Sequence, residues 1–141
     1  SFPTRRSSDL GEFSAPFILY DPSGEIKPGM RAGIAQQIDI MPTIFGILGY
    51  NKPYFSFGCD LLNTPPQQTY ALNYINGVYQ YTKNGYTMQF DGNRVTGIYS
   101  LKDLLMQHNL LGKVPEQAQM EQELKAIIYQ YMYRMVNNEL R

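Results

Sequence analysis

The chain has 141 residues, a length typical of one domain. Its 12 Lys and Arg residues balance 12 Asp and Glu residues, which argues against a nucleic-acid binder that depends on counterion release and against a polybasic membrane-surface protein. Hydrophobic residues at 43% and charged residues at 17% exclude a disordered chain, and the apolar runs are too short to span a bilayer. The single Cys excludes an internal disulfide framework and a metal site built from several cysteines.

The first ten residues, SFPTRRSSDL, show no hydrophobic period and end in a polar cluster. They resemble a sequencing adapter translated in one frame, so we treat residues 1–10 as a processing scar and exclude them from the fold. A natural polar tail is the alternative. On the adapter interpretation the natural protein begins upstream, and the chain is expected to be a fragment.

A short apolar run follows at Phe17–Tyr20 and is closed by Asp21 and Pro22. An apolar run without alternation, bounded by a proline, predicts a strand buried on both faces, as in a parallel sheet. The glycines and prolines of residues 23–33 predict a loop after it.

A helix is predicted from about Gln36 to Leu48, with Asp39 capping its regular part and Pro42 in the first turn, where a missing N–H costs little. Gly49 is its natural C-terminal stop. Residues 50–68 contain three prolines and are expected to cross the surface. One face of the predicted helix is apolar and carries Ile40, Ile44, Ile47 and Leu48.

Three turn signals predict a β-meander: Asn76-Gly77, Asn84-Gly85 and Asp91-Gly92. Such dipeptides favour type I′ turns in two-residue hairpins, so strands are expected near 69–75, 78–83, 86–90 and 94–99. The first two turns place Tyr74 opposite Tyr79, Leu72 opposite Tyr81, Tyr81 opposite Met88 and Tyr79 opposite Phe90. Both turns put the same apolar set on one face, which supports the register. That set is Tyr70, Leu72, Tyr74, Tyr79, Tyr81, Tyr86, Met88 and Phe90.

Two helices are predicted after the meander. A short one covers Leu101–Leu111 and ends at Gly112, and a longer one is opened by Pro115 with Glu116 in its first turn. The aromatic face of the meander is the expected partner for the apolar stripe of the longer helix. The stripe consists of Met120, Leu124, Ile127, Ile128, Tyr131 and Met135, widened by Tyr129, Tyr133 and Val136.

Few residues in the chain could carry catalysis. His108 is the sole histidine and lies in a polar segment, so a surface or capping role is expected rather than a catalytic one. Cys59 has no second Cys and no nearby His in the sequence, and we interpret it as a small packing residue rather than a nucleophile. Asp39 is better explained as a helix cap, and Asp21 and Asp60 as turn residues, than as a carboxylate metal site.

The Tyr-rich face of the predicted sheet could stack sugars or bases. Because a long amphipathic helix is available to cover this face, we interpret it as core. The chain has no Gly-rich phosphate loop, no GxSxG motif and no HExxH motif. The residues alone therefore define no catalytic, cofactor-binding or metal site.

Residues 15–62 carry a family resemblance in an ordered set of three motifs. These are APFILYDP at 15–22, QIDIMPTIFGILG at 37–49 and FSFGCDLL at 55–62. The set resembles the C-terminal part of the catalytic domain of lipoteichoic-acid-synthase-like sulfatases, in the alkaline phosphatase superfamily. Residues 69–141 fit the small antiparallel subdomain that closes this family's domain, by architecture rather than by motif.

The resemblance implies an α/β fragment that forms the C-terminal part of an alkaline-phosphatase-like fold. One or two strands and a helix of the large sheet would precede an antiparallel β-meander packed on a long C-terminal helix. The implied division is an artefactual tail at 1–10, the end of the sulfatase-like catalytic domain at 11–68, and the meander with its helix at 69–141.

The chemistry implied by the resemblance is metal-assisted transfer or hydrolysis of a phosphate or sulfate ester. A Thr, Ser or modified Cys nucleophile attacks, and a divalent metal (Mn, Mg, Zn or Ca) stabilises charge. No position of this chain matches the family's nucleophile or its metal-binding Asp-His pair, so this portion is expected to be inactive and to hold no metal.

The parent enzyme is expected to be a phosphoglycerol transferase, or a related sulfatase-like hydrolase of phosphate or sulfate esters. It would be anchored by upstream membrane helices, with its catalytic domain outside the cytoplasm. A soluble sulfatase is the alternative within the enzyme class. The expected partner is the missing N-terminal part of the same catalytic domain, and no nucleic acid is expected. The alternative from another class is a freestanding binding module that uses the Tyr-rich sheet face and is not an enzyme.

Overall fold

The computed structural model describes residues 16–140, and the adapter-like residues 1–10 lie outside this range. One antiparallel sheet and two α-helices form the regular structure of the described part. The elements in chain order are α1 (Ile40–Ile47), β1 (Ala71–Ile75), β2 (Val78–Lys83), β3 (Tyr86–Phe90), β4 (Val95–Ser100) and α2 (Gln117–Val136), with short 3₁₀ turns at Gln37–Asp39 and Pro66–Gln68.

The predicted meander and its register are confirmed. The strands are adjacent in sequence order, β1-β2-β3-β4, and every neighbouring pair is antiparallel. The four cross-strand pairs expected from the first two turns are all present. Asn76 and Gly77 have φ of 52° and 83°, and the second turn repeats these values within two degrees, as type I′ geometry requires.

The third connection is longer than the two-residue hairpin that an Asp-Gly pair favours, although β3 and β4 lie within one residue of their predicted bounds. Phe90 pairs with Val95, so residues 91–94 form a four-residue connection, and a register shift follows on β4. The Asp91 carboxylate accepts hydrogen bonds from the backbone N–H groups of Asn93 and Arg94, both at 2.8 Å. A side chain that satisfies two loop donors stabilises a wider loop than the tight turn.

Helix α2 lies across the aromatic face of the sheet, as predicted. Tyr81 is 1% exposed, and its hydroxyl donates to Glu123 of α2 at 2.9 Å, while Lys83 contacts the same carboxylate at 2.8 Å. Burial raises the pKa of Glu123, but hydrogen bonds from Lys83, Gln119 and Tyr81 hold it below its ordinary value. The buried apolar core consists of Tyr81, Met88, Phe90, Val95, Ile98, Val114, Met120 and Leu124.

Only the N-terminal half of the α2 stripe is buried in this core. Met120 and Leu124 are fully buried, Ile127 and Ile128 are half-buried against the core, and Tyr131 and Met135 are exposed and outside it. The predicted stripe is therefore longer than the surface that covers it. Within residues 16–140, no helix combines the length and the apolar character that crossing a bilayer demands.

The predicted helix over Leu101–Leu111 is wrong, because this segment forms turns that cover the outer edge of β4. The N–H of Leu110 donates to the Ile98 carbonyl at 2.8 Å, and the Asn109 side chain accepts from the Ile98 N–H at 3.2 Å. Met106 has a φ of 51°, which a regular helix does not contain. Residues 109 and 110 thus form hydrogen bonds with the open edge of β4 in place of the bonds that a helix would have formed.

The predicted strand at Phe17–Tyr20 is also wrong. The segment has no regular structure, and Ile18 and Tyr20 are exposed, so the described residues contain no part of a parallel sheet. Helix α1 is present and ends as predicted before Gly49, which has a φ of 62°. Its predicted apolar face, however, is largely uncovered.

Residues before Thr69 contact the meander and α2 directly. The Thr69 hydroxyl accepts from the Ile34 N–H at 2.9 Å, and the Gln36 side chain accepts from the Leu72 N–H at 3.1 Å. The Arg134 guanidinium of α2 lies 3.6 Å from the centre of the Phe55 ring. These contacts hold the motif-bearing segment against the sheet unit.

Candidate functional site

The two motifs at 37–49 and 55–62 meet at one buried carboxylate, that of Asp39. One Asp39 oxygen accepts from the Gln36 N–H and the other from the Cys59 N–H, each at 2.8 Å. Asp39 occupies the position before α1, but its side chain accepts no hydrogen bond from α1 itself. The predicted capping of α1 is therefore wrong, and Asp39 instead joins two segments 20 residues apart.

Thr43 forms the second link between the two motifs. Its hydroxyl donates to the Asp39 carbonyl at 2.6 Å and accepts from the Leu61 N–H at 3.0 Å. The side chain is fully buried, and sequence reasoning did not single it out. Thr43 follows Pro42 and lies four residues after Asp39. This spacing puts Thr43 and Asp39 on one side of a helical turn, and it was the sequence signal for their contact.

Two glycines allow the second motif to lie directly on α1. A Cβ atom at Gly58 would collide with the Ile38 carbonyl, and a Cβ atom at Gly46 would collide with the Asp60 carboxylate. The first collision is with backbone, so it cannot be relieved by a side-chain rotation. We name the unit formed by Asp39, Thr43, Gly58 and the Cys59 backbone the Asp39 clasp.

Cys59 lies half-buried within the clasp, with its Sγ 3.5 Å from an Asp39 oxygen. Burial, followed by the negative charge of Asp39, raises the pKa of the Cys59 thiol to about 11. A nucleophilic cysteine requires the opposite environment, with positive charge or a helix N-terminus nearby. The geometry therefore agrees with a packing role.

The Cys59 environment predicts a slow thiol. At pH 8 we expect iodoacetamide to alkylate Cys59 about 100-fold more slowly than free cysteine, because a thiol pKa of about 11 leaves very little thiolate at that pH. Alkylation rates measured by mass spectrometry across pH 7–10 would test this. Asp39→Asn should speed the reaction, and a rate equal to that of free cysteine in the folded chain would contradict the assignment.

The other two candidate carboxylates, those of Asp21 and Asp60, each accept hydrogen bonds within a turn. Asp21 accepts from the Ser23 hydroxyl and from the Ile26 and Ser23 N–H groups, and these hydrogen bonds, the hydroxyl first, hold the pKa of its carboxyl below the usual value. Asp60 accepts from the Leu62 N–H and the Asn63 side chain, which agrees with the predicted turn role.

His108 lies on the surface, far in sequence from both motifs. Its side chain is 80% exposed, and its Nδ1 lies 3.4 Å from the carboxylate of Asp103. This is the surface role expected from the sequence, and the described structure brings His108 into no cluster with Cys59 or Asp39.

The described residues do not fit a divalent metal. Between residues 16 and 140, no three His, Cys, Asp or Glu side chains come close enough to share an ion. Both oxygens of Asp39 are already engaged by backbone N–H groups, and both oxygens of Asp60 also accept hydrogen bonds. A metal at either carboxylate would have to share these oxygen atoms with the hydrogen bonds.

The Tyr-rich sheet face offers little open surface for a ligand. Tyr81, Met88 and Phe90 at its centre are buried beneath α2, and burial followed by the charge of Asp39 raises the pKa of Tyr70 to about 12. Tyr74 is the exception at the margin, where it is 62% exposed and packs against Tyr79 at 4.5 Å between ring centres.

No protein family model, no curated protein and no solved structure matches this chain. The family resemblance therefore depends on the residues of the three motifs, and the arrangement of the clasp is described from this structure alone.

Proposed function

We propose that this chain is the non-catalytic C-terminal portion of a metal-dependent, sulfatase-like enzyme of the lipoteichoic-acid-synthase family. The parent is a phosphoglycerol transferase, or a phosphate or sulfate ester hydrolase, that acts outside the cytoplasm. Two of the three resembling motifs support this proposal, because they form one packed unit around Asp39 and not two independent loops.

The observation that carries the proposal is the apolar surface of α1. The helix sequence IMPTIFGI contains no charged residue, yet the structure buries only Pro42 and Thr43 within it. Ile44 is 37% exposed and Leu48, just beyond the helix, is 73% exposed. A helix that is apolar all round is typical of a protein interior, so further protein is expected to pack here.

The proposed partner of this surface is the N-terminal part of the same catalytic domain. The clasp would hold α1 at a fixed distance from the meander, so that the apolar face of α1 is presented to that partner. The nucleophile and the divalent metal (Mn, Mg, Zn or Ca) would belong to the partner part, and the chain would support their site from behind. Membrane anchoring would likewise belong to upstream helices.

The alternative of a freestanding binding module needs an open tyrosine face. The burial of Tyr81, Met88 and Phe90 under α2 gives this alternative less support than the packing role, since only the margin around Tyr74 is exposed.

The purified chain is expected to be inactive by itself. With Mn²⁺, Mg²⁺, Zn²⁺ or Ca²⁺ added in turn, it should not hydrolyse nitrophenyl phosphate or nitrophenyl sulfate above the rate of buffer, because the described residues bring no nucleophile to a metal site. A colorimetric assay at high protein concentration would measure this. Turnover that disappears in Cys59→Ser or in His108→Ala would contradict the proposal.

The gene sequence upstream of the motif region supplies a second test. We expect it to encode the family's nucleophile and metal-binding Asp-His pair in the same reading frame. Several transmembrane helices before them would support the synthase type, and a secreted sulfatase would lack them. An unrelated upstream sequence would remove the basis of the proposal.

A further inference from the structure

The outer edge of β1 has backbone groups that no neighbouring strand satisfies. The two-residue turn makes Ile75 and Val78 the hydrogen-bonded pair that closes the hairpin, so the backbone groups of Leu72 and Tyr74 point away from β2. Within residues 16–140, nothing pairs with the N–H or the carbonyl of Tyr74. The edge segment YALNYI contains neither a charge nor a proline, which are the usual protections of an edge strand.

Gln36 already occupies one position along this edge. Its Oε1 accepts from the outward N–H of Leu72 at 3.1 Å, as the carbonyl of an adjacent strand would. The Nε2 of the same amide is buried, and no acceptor in the described part of the chain lies within hydrogen-bonding distance of it. A buried donor without an acceptor is costly, so this amide indicates a binding position that a further carbonyl would complete.

A cleft of about 520 Å³ runs beside the same edge. The strand residues 71–73 form one wall, and residues 35–38 with Ile40 form the other, with Pro16 and Phe17 alongside. None of the residues that line the cleft is charged, while Ile38 and Ile40 are apolar and exposed. Uncharged walls would leave a charged ligand without compensation, so they favour a neutral occupant.

We propose that this cleft binds an extended peptide segment with uncharged side chains, which adds to the sheet as a fifth strand beside β1. The segment exchanges backbone hydrogen bonds with Tyr74, donates to the carbonyl of Leu72 and accepts from the Nε2 of Gln36. Its inward side chains pack on Ile38 and Ile40. This is strand addition to a sheet edge, in which backbone bonds supply affinity and the adjoining pocket supplies selectivity. It holds whether or not the proposed function is correct.

The test uses an acetylated, amidated heptapeptide of alternating Thr and Val as the probe, added to the isotope-labelled chain. We expect NMR shifts confined to residues 35–38 and 71–75, and slowing of amide exchange at Tyr74 by about tenfold when the cleft is mostly occupied. A version of the peptide with alternate backbone nitrogens methylated keeps its side chains but loses the donors, and should not bind.

Two substitutions at one position separate the backbone from the side chain. Tyr74→Pro removes the outward N–H without removing a bond to β2, and should abolish peptide binding. Tyr74→Ala loses the same ring but keeps the N–H, and should bind within about threefold of the parent chain. Gln36→Leu removes the unsatisfied donor and should weaken binding about 3- to 10-fold.

Three results would overturn the proposal. The first is equal binding by Tyr74→Pro and Tyr74→Ala when both fold, as judged by thermal melting. The second is peptide-induced shifts limited to α1, which would indicate general apolar adhesion. The third is a concentration-dependent dimer of the chain that excludes the peptide and is lost in Tyr74→Pro, which would make a second copy the occupant.

Discussion

Replacing Asp39 by Ala should lower the free energy of unfolding by about 2–4 kcal/mol, one of the two largest effects we expect in this chain. The substitution leaves the N–H groups of Gln36 and Cys59 without their acceptor, inside a unit where Asp39 itself is fully buried. Urea denaturation followed by circular dichroism and tyrosine fluorescence would measure the loss, since the chain contains no Trp.

Asp21→Ala is the matched control for this substitution. Asp21 also accepts from two backbone N–H groups, those of Ser23 and Ile26, but it does so in an exposed turn. Its loss should change the free energy of unfolding by less than about 1 kcal/mol, because water replaces the carboxylate. Equal effects of the two substitutions would show that the Asp39 clasp is not a buried structural unit.

The second large effect is expected at the contact between α2 and the sheet. Leu124→Ala should destabilise the chain by about 2–5 kcal/mol, because it opens a cavity at a position with no exposed surface, next to the core that includes Tyr81 and Met88. Thermal and urea unfolding would give the value. The slightly better helix propensity of Ala offsets only a small part of this loss.

Met132→Ala on the same helix is the control, since Met132 is exposed and is not part of the buried core. We expect a change within about 0.5 kcal/mol. If the two α2 substitutions cost the same, α2 would not lie on the tyrosine face in solution, and the binding-module alternative would regain its open surface.

The meander was predictable because its determinants are local. An Asn-Gly pair needs only its own backbone preference to form a type I′ turn, and two such turns then set every partner from Ala71 to Phe90. The connection at Asp91-Gly92 is wider than the type I′ turn that this pair favours, because its geometry also depends on a side chain. The Asp91 carboxylate satisfies two loop N–H groups, and this favours the wider connection.

Elements that depend on distant partners were the ones mispredicted. Phe17–Tyr20 has the composition of a buried strand, but composition cannot supply the neighbouring strand that would make it one. Leu101–Leu111 has enough helix formers for a short helix, and pairing of Asn109 and Leu110 with β4 outweighs that weak local preference.

The clasp was predictable only in part. The sequence identifies Asp39 as a residue at a helix start, and it identifies Cys59 as an unreactive packing residue, which the raised pKa of its thiol agrees with. It contains no sign that Asp39 accepts from the Cys59 N–H, because a bond across 20 residues leaves no periodic pattern. The spacing of Thr43 from Asp39 is a local signal, but the bond that Thr43 accepts from the distant Leu61 N–H leaves no such pattern.

The covering of β4 by Asn109 and Leu110 limits how far this sheet can grow. The Ile98 N–H and carbonyl on that side are both engaged, so a β1 edge from another molecule finds no free edge at β4 to join. Open-ended polymers would require the β1 edge of each molecule to pair with the β4 edge of the next, and the covered β4 edge is not open to this pairing. Addition of a strand to this sheet is therefore confined to the β1 side, because the Ile98 backbone groups on the β4 side are already paired.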